Sequence, residues 1–208
     1  MDRKKRYKIQ RQLATSLPGF GDKKAKSPLS KRSFPPGFHG PTLRRKHSEY
    51  GLRLREKQKI VYHYGLKEKQ IKNLIKKAKR KESNWFNSFS QFVERRLDNV
   101  LFRLGFFPTI ASARQAVVHG NVLVNGKKLD IPSVILPLGS VVSLKKKMYE
   151  NTLFLKTRKE PTLDLPHFLA IEKQNDLEVG KVVNEPLPED MPFELNKGYV
   201  IEFYGKVK

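Results

Sequence analysis

The chain has no cysteine, which excludes disulfides and any thiolate-ligated zinc site. It has no uncharged run near the roughly eighteen to twenty apolar residues that a membrane helix needs, so no membrane partner is expected. Residues 1–11 are basic but lack the apolar stretch of a secretory signal, and a reducing compartment is the expected setting. The five histidines, at 39, 47, 63, 119 and 167, show no short metal-binding spacing, and no carboxylate cluster accompanies them; neither metal nor cofactor is expected. Gly120 to Lys127 places five residues between its glycines and no Ser or Thr after the lysine, so it fails the phosphate-loop pattern, and Asn125-Gly126 is instead a hairpin turn.

Acidic residues are also scarce, 20 against 43 Lys and Arg, which leaves a net charge of +23. Self-repulsion of that size suits a chain neutralised by a polyanion, and nucleic acid is the leading partner. The charge is uneven: residues 1–90 carry +20, residues 91–160 carry +7 and residues 161–208 carry −4. This gradient predicts a first half that faces the polyanion and a tail that faces solvent or a basic protein.

Residues 1–46 are rich in Lys, Arg, Pro, Gly and Ser with no sustained apolar period, and read as a basic extended arm. Within it, Phe34-Pro-Pro-Gly-Phe-His-Gly40 combines rigid prolines with permissive glycines, which predicts a fixed turn. Residues 47–87 read as helical. Gly65 separates two helices, and Ile71, Leu74, Ile75 and Ala78 share one face while Lys72, Lys76, Lys79 and Arg80 fall on the others.

Residues 88–158 read as two helices followed by a small sheet. One helix is capped by Ser88 or Ser90, carries an apolar stripe from Phe89 through Phe92, Val93, Leu97, Val100 and Leu101 to Leu104, and ends at Gly105. Thr109 caps the second. Strands over 121–124, through Leu129 and over 141–144 follow. In the tail, 160–208, prolines break up long elements and Tyr199 to Tyr204 reads as a closing strand. The fold class is therefore α+β.

Arginine binds phosphate well because its planar fork donates two hydrogen bonds at once. Arg96 and Arg103 are seven residues apart and are expected on one helical face, with Arg114 opening towards Gln115 and His119. Arg95 is equally placed to pair with Asp98. Among the aromatics, helical spacing assigns Phe89 and Phe92 to the core, and Tyr50, set amid charges, is the stacking candidate.

Several spaced motifs resemble one family. They are Phe34-Pro-Pro-Gly-Phe-His-Gly40, Ser48-Glu-Tyr-Gly-Leu-Arg-Leu-Arg-Glu-Lys-Gln58, Tyr64-Gly65, Glu94-Arg-Arg-Leu-Asp-Asn99 and Ala113-Arg-Gln115, then His119-Gly120, Val124-Asn-Gly126, Asp130-Ile-Pro-Ser133 and Val200-Ile-Glu-Phe-Tyr204. In this order and over nearly the whole chain they resemble the S-four family of small-subunit ribosomal proteins. The resemblance implies a helical first domain over 47–87, completed by 160–208, and an inserted S-four RNA-binding module over 88–158.

The resemblance also implies a structural, non-enzymatic constituent of the small subunit that binds its ribosomal RNA early in assembly and supports translational accuracy. Its implied partners are small-subunit ribosomal RNA, the S-five protein and other small-subunit proteins, and mRNA on its way into the subunit. The implied location is the ribosome, in a bacterial cytoplasm or alternatively an organelle matrix or plastid stroma. The co-location of charge and motif selects the expected RNA contacts: Arg44, Arg45, Tyr50, Arg53, Lys57 and Gln58 in the first domain, with Arg96, Arg103, Arg114, Gln115 and His119 in the module.

Three features depart from the family pattern. The zinc-binding cysteines that many members carry in the arm are absent, Thr109-Ile110 replaces a Ser/Thr-Arg pair, and Phe168 stands where a tryptophan is common. Enzymes that use the same module need a separate catalytic domain, for which 208 residues leave no room. A free RNA-binding regulator or chaperone is the alternative reading.

Overall fold

The computed structural model describes residues 3–21, 27–42, 46, 48–174 and 177–205. The fold is α+β, with a helical first half and a five-stranded antiparallel sheet in the second.

Where the sequence suggests an extended arm, the structure has a helix, α1 (Arg3–Leu13), and a single turn, α2 (Pro28–Lys31). The residues of α1 are mostly strong helix formers, and its inner edge has an anchor: Leu13 and the following Leu17 are buried in the first core, and Gln10 accepts a hydrogen bond from the Leu17 amide at 3.1 Å. The Pro-Pro-Gly turn is held from outside itself. Arg11 donates to the carbonyls of Phe34 (3.0 Å) and Pro35 (3.1 Å) and lies over the Phe34 ring.

Two long helices follow. α3 (Glu49–Tyr64) starts at Ser48, whose hydroxyl accepts from the Gly51 amide, and ends at Gly65 in the left-handed region (φ +59°). α4 (Glu68–Lys81) buries Ile71, Ile75 and Ala78 and leaves Lys72, Lys76, Lys77 and Arg80 exposed, so the predicted face is the observed one.

The single helix expected over 88–104 is two. α5 (Trp85–Glu94) and α6 (Leu97–Arg103) are separated at Arg95-Arg96, where Arg96 is extended and bridges Ile135. The break comes from a distant loop. The amides of Leu97 and Asp98 donate to the carbonyls of Val134 and Pro132, and the Leu136 amide returns a bond to the Arg95 carbonyl. The break also divides the core, because Trp85, Phe86, Phe89 and Val93 of α5 join the first cluster while Leu97, Val100, Leu101 and Leu104 join the second. Phe102 of α6 and Ile110 nevertheless pack into the first cluster, so the two cores interlock across the break.

α7 (Ile110–Val118) carries the expected cap, with the Thr109 hydroxyl accepting from the Ser112 amide at 3.0 Å. β1 (Val122–Val124) and β2 (Lys127–Lys128) form a hairpin through Asn125 (φ +50°) and Gly126 (φ +77°), the two positive φ values that a tight hairpin turn demands. β3 (Val141–Leu144) pairs with β1, and α8 (Lys146–Tyr149) and α9 (Thr152–Lys159) lead to the tail. There, β4 (Leu169–Gln174) and β5 (Leu177–Val182) extend the sheet in the order β2-β1-β3-β5-β4, two strands that the sequence did not reveal.

The closing strand expected over 199–204 is a helix, α10 (Lys197–Phe203). Asn196 caps it by accepting from the Tyr199 amide, and Val200 and Tyr204 are buried on its inner face. A six-residue segment that is apolar except for Glu202 fits either period, and docking on α3 decides between them. No described helix is long and apolar enough to cross a membrane.

Candidate nucleic-acid interface

The expected contact residues separate into three groups. Arg44 and Arg45 lie outside the described residues.

The second group stands on α3. Tyr50 is 63% exposed and its ring packs against Phe203 with centroids 6.0 Å apart. Arg53 pairs with Glu49 at 3.1 Å and with Glu202 at 2.5 Å, which raises its pKa further. Lys57 pairs with Glu68 at 2.8 Å and approaches the Phe203 ring, while Gln58 is half-buried. The tail helix thus already supplies partners to this row, and a phosphate approaching it competes with carboxylates.

The third group is in the module, and here the structure departs most from the sequence reading. Arg96 is buried and makes a two-pronged contact with Asp98, both bonds at 3.2 Å. Arg103 is buried against Glu94 at 3.6 Å and donates to the Asp190 carbonyl at 2.9 Å. They do not share one exposed face, because the helix on which that geometry depended is broken between residues 94 and 97. Arg114 bonds Asp98 at 2.7 Å and donates to the Tyr64 and Gly65 carbonyls, each at 3.1 Å. Gln115 and His119 are exposed. Lys128 extends over Gly120, where a Cβ would meet its chain at 2.3 Å.

Three arginines, Glu94, Asp98 and Asn99 form a charged cluster at the junction of the two cores. Asn99 donates to both the carbonyl and the carboxylate of Glu94, and the Tyr64 hydroxyl donates to the same carboxylate. Burial pushes the Glu94 pKa up, against the opposing pull of Arg103, Tyr64 and Asn99. Burial, followed by the charge of Arg103, holds the adjoining His63 down to about 3, so that it is neutral at physiological pH.

Sequence reasoning placed too little weight on two features. Lys72, Lys76, Lys77 and Arg80 of α4 are exposed with no ion-pair partner among the described residues. A groove of about 530 Å³ runs between this helix and the 133–135 loop, lined by Lys76, Lys77, Arg80 and the edge of Arg96. The +20 charge of the first ninety residues was the available signal. Phe38 was missed altogether. It is 95% exposed on the Pro-Gly turn, its ring edge-on to His39 at 5.0 Å, and an aromatic with no apolar neighbour in sequence was the cue.

Comparison with known proteins agrees with this architecture. Residues 2–94 match the ribosomal protein S4/S9 N-terminal domain family, and residues 95–142 match the S4 domain. The small ribosomal subunit protein uS4B of Bdellovibrio bacteriovorus is 47% identical over 96% of this chain and 95% of its own length. The uS4 protein of Methylobacillus flagellatus is 40% identical with the same coverage, and that of Streptococcus agalactiae is 42% identical over 97% of this chain and 96% of its own.

Proposed function

This chain belongs to the uS4 family of small ribosomal subunit proteins, and we propose that it is a structural constituent of that subunit that binds its ribosomal RNA early and nucleates assembly of the subunit body. The observation that carries the reading is the exposed basic face of α4, free of carboxylate partners among the described residues, beside a module whose own exposed polar groups include Gln115, His119 and Lys128. Such a surface attracts phosphate without selecting sequence, and folded RNA is recognised mainly through its shape and its backbone.

The contact set is Tyr50, Arg53, Lys57 and Gln58 on α3, Lys72, Lys76, Lys77 and Arg80 on α4, Phe38 on the turn, and Gln115, His119 and Lys128 on the module. Arg44 and Arg45 extend it on charge alone. Arg96 and Arg103 are left out, because freeing a buried arginine from its carboxylate strands both charges.

Protein neighbours, among them the S-five protein, are assigned to the tail, where Glu185, Glu189 and Glu194 are exposed beside Leu187 at 53% exposure. Support of translational accuracy, with mRNA passing close by, is part of the same proposal. The chain acts there as scaffold rather than enzyme, and its place is the ribosome in the cytoplasm, a reading supported by relatives that are small ribosomal subunit proteins of bacteria.

The test is sedimentation of the tagged chain from lysate in high salt. Comigration with small subunits, together with preference for a small-subunit ribosomal RNA fragment over tRNA, is the expected result. A chain that stays at the top of the gradient and binds both RNAs equally is a free RNA-binding regulator or chaperone instead.

A further inference from the structure

We infer that Arg114 is a positioning residue for RNA binding: it latches the module onto the C-terminus of α3 and so sets the angle between the two RNA-facing surfaces. An arginine has five N–H donors, and four of the five are engaged here. One edge, Nε and Nη2, faces Asp98 Oδ2 at 3.1 and 2.7 Å. The other edge gives Nη1 to the Gly65 carbonyl and Nη2 to the Tyr64 carbonyl, both at 3.1 Å. Two-pronged phosphate binding needs a whole free edge, and neither edge is free.

The acceptors belong to different parts of the molecule. Tyr64 and Gly65 end α3 in the first core, where the unsatisfied carbonyls at a helix C-terminus attract a cation. Asp98 opens α6 and is itself held by Arg96. Tyr64 is tied at its other end too, its hydroxyl donating to Glu94. One residue of α3 is therefore fastened to the module junction through both backbone and side chain. Gly65 shares in the fit, since a Cβ there would lie 3.3 Å from Arg114 Nη1 on a backbone at φ +59°.

The latch rests on the RNA-binding reading above, and the experiment separates the two. Affinity of the full chain for a small-subunit ribosomal RNA fragment is measured against salt for wild type, Arg114→Ala, Arg114→Lys and Gly65→Ala. Removing a phosphate ion pair makes the salt slope shallower by about 0.9, whereas removing a latch lowers affinity and leaves the slope alone. Lysine keeps the charge but is a point donor, unable to span Asp98 and two carbonyls.

The latch predicts that both Arg114 variants bind about tenfold or more weakly with unchanged slope, and that Gly65→Ala, which alters no charge, weakens binding in the same way. Wild-type affinity in Arg114→Lys, with a shallower slope in Arg114→Ala, overturns it. A second readout needs no RNA. Because the chain lacks cysteine, fluorophores at Ser83→Cys and Asp130→Cys report the distance between the two halves. A broader distance distribution in Arg114→Ala and Gly65→Ala supports the latch, and an unchanged one overturns it. If wild type fails to bind the fragment, the RNA reading falls while the label distances still decide the latch.

Discussion

The backbone amide of Gly19 donates to Nδ1 of His63 at 3.3 Å, joining the segment after α1 to the buried end of α3. The approach leaves no room for a side chain. A Cβ on Gly19 would lie 2.4 Å from the His63 carbonyl oxygen and 3.0 Å from Ile110 Cδ1. Backbone cannot yield as a flexible side chain does, so Gly19→Ala is expected to destabilise the fold by about 1–3 kcal/mol in urea unfolding. A change under about 0.5 kcal/mol would show that the N-terminal segment is not docked as described.

The same histidine gives the fold a pH dependence of definite sign. His63 is neutral when folded, with its pKa lowered to about 3, and titrates near 6.5 when unfolded. Its contribution to stability is complete above pH 6.5 and declines as pH falls towards 3, at a slope approaching about 1.4 kcal/mol per pH unit. Glu94 works in the opposite sense, because its pKa, raised by burial, makes the folded state take up that proton first as pH falls. Subtracting the stability curve of His63→Gln from that of wild type isolates the histidine. The difference is expected to steepen below pH 6.5, and a flat difference would contradict a buried neutral imidazole.

Asp98 holds two arginines, one of them buried with its side chain 5% exposed. Removing the shared carboxylate leaves Arg96 charged and unpaired inside the protein. Asp98→Ala is predicted to lose about 3–5 kcal/mol, measured by urea unfolding, whereas a surface ion pair is worth under about 1 kcal/mol. A loss in that smaller range would move this cluster to the surface.

What the sequence disclosed was what local chemistry decides. The α4 face, the Thr109 cap and the Asn125-Gly126 turn each depend on residues within one or two turns of each other, and each was legible. The break at Arg95-Arg96 was not, because the apolar stripe from Phe89 to Leu104 continues through it and the loop that interrupts it lies some forty residues away. β4 and β5 owe their conformation to pairing with β3 and each other, and α10 to docking on α3. The site divides in the same way. A charged surface is visible in composition, but whether Arg96 or Arg103 faces phosphate or carboxylate is decided by tertiary packing.

Phe38 offers a contrast to the charged side chains. Alanine in its place is expected to weaken binding of the ribosomal RNA fragment by about 1–3 kcal/mol, as for removal of a base stack, without altering the salt slope or the unfolding midpoint. Unchanged affinity would leave this ring without a role in RNA binding.

The salt dependence of RNA binding tests most directly the claim that the exposed face of α4, rather than the buried arginines, carries the electrostatic affinity. In the variant with Lys76, Lys77 and Arg80 all replaced by alanine, the plot of log affinity against log salt for the ribosomal RNA fragment should be shallower than wild type by about two to three units, near 0.9 for each phosphate no longer neutralised, with the thermal midpoint retained. A slope equal to that of wild type would contradict this claim and put the phosphate-binding surface elsewhere on the molecule.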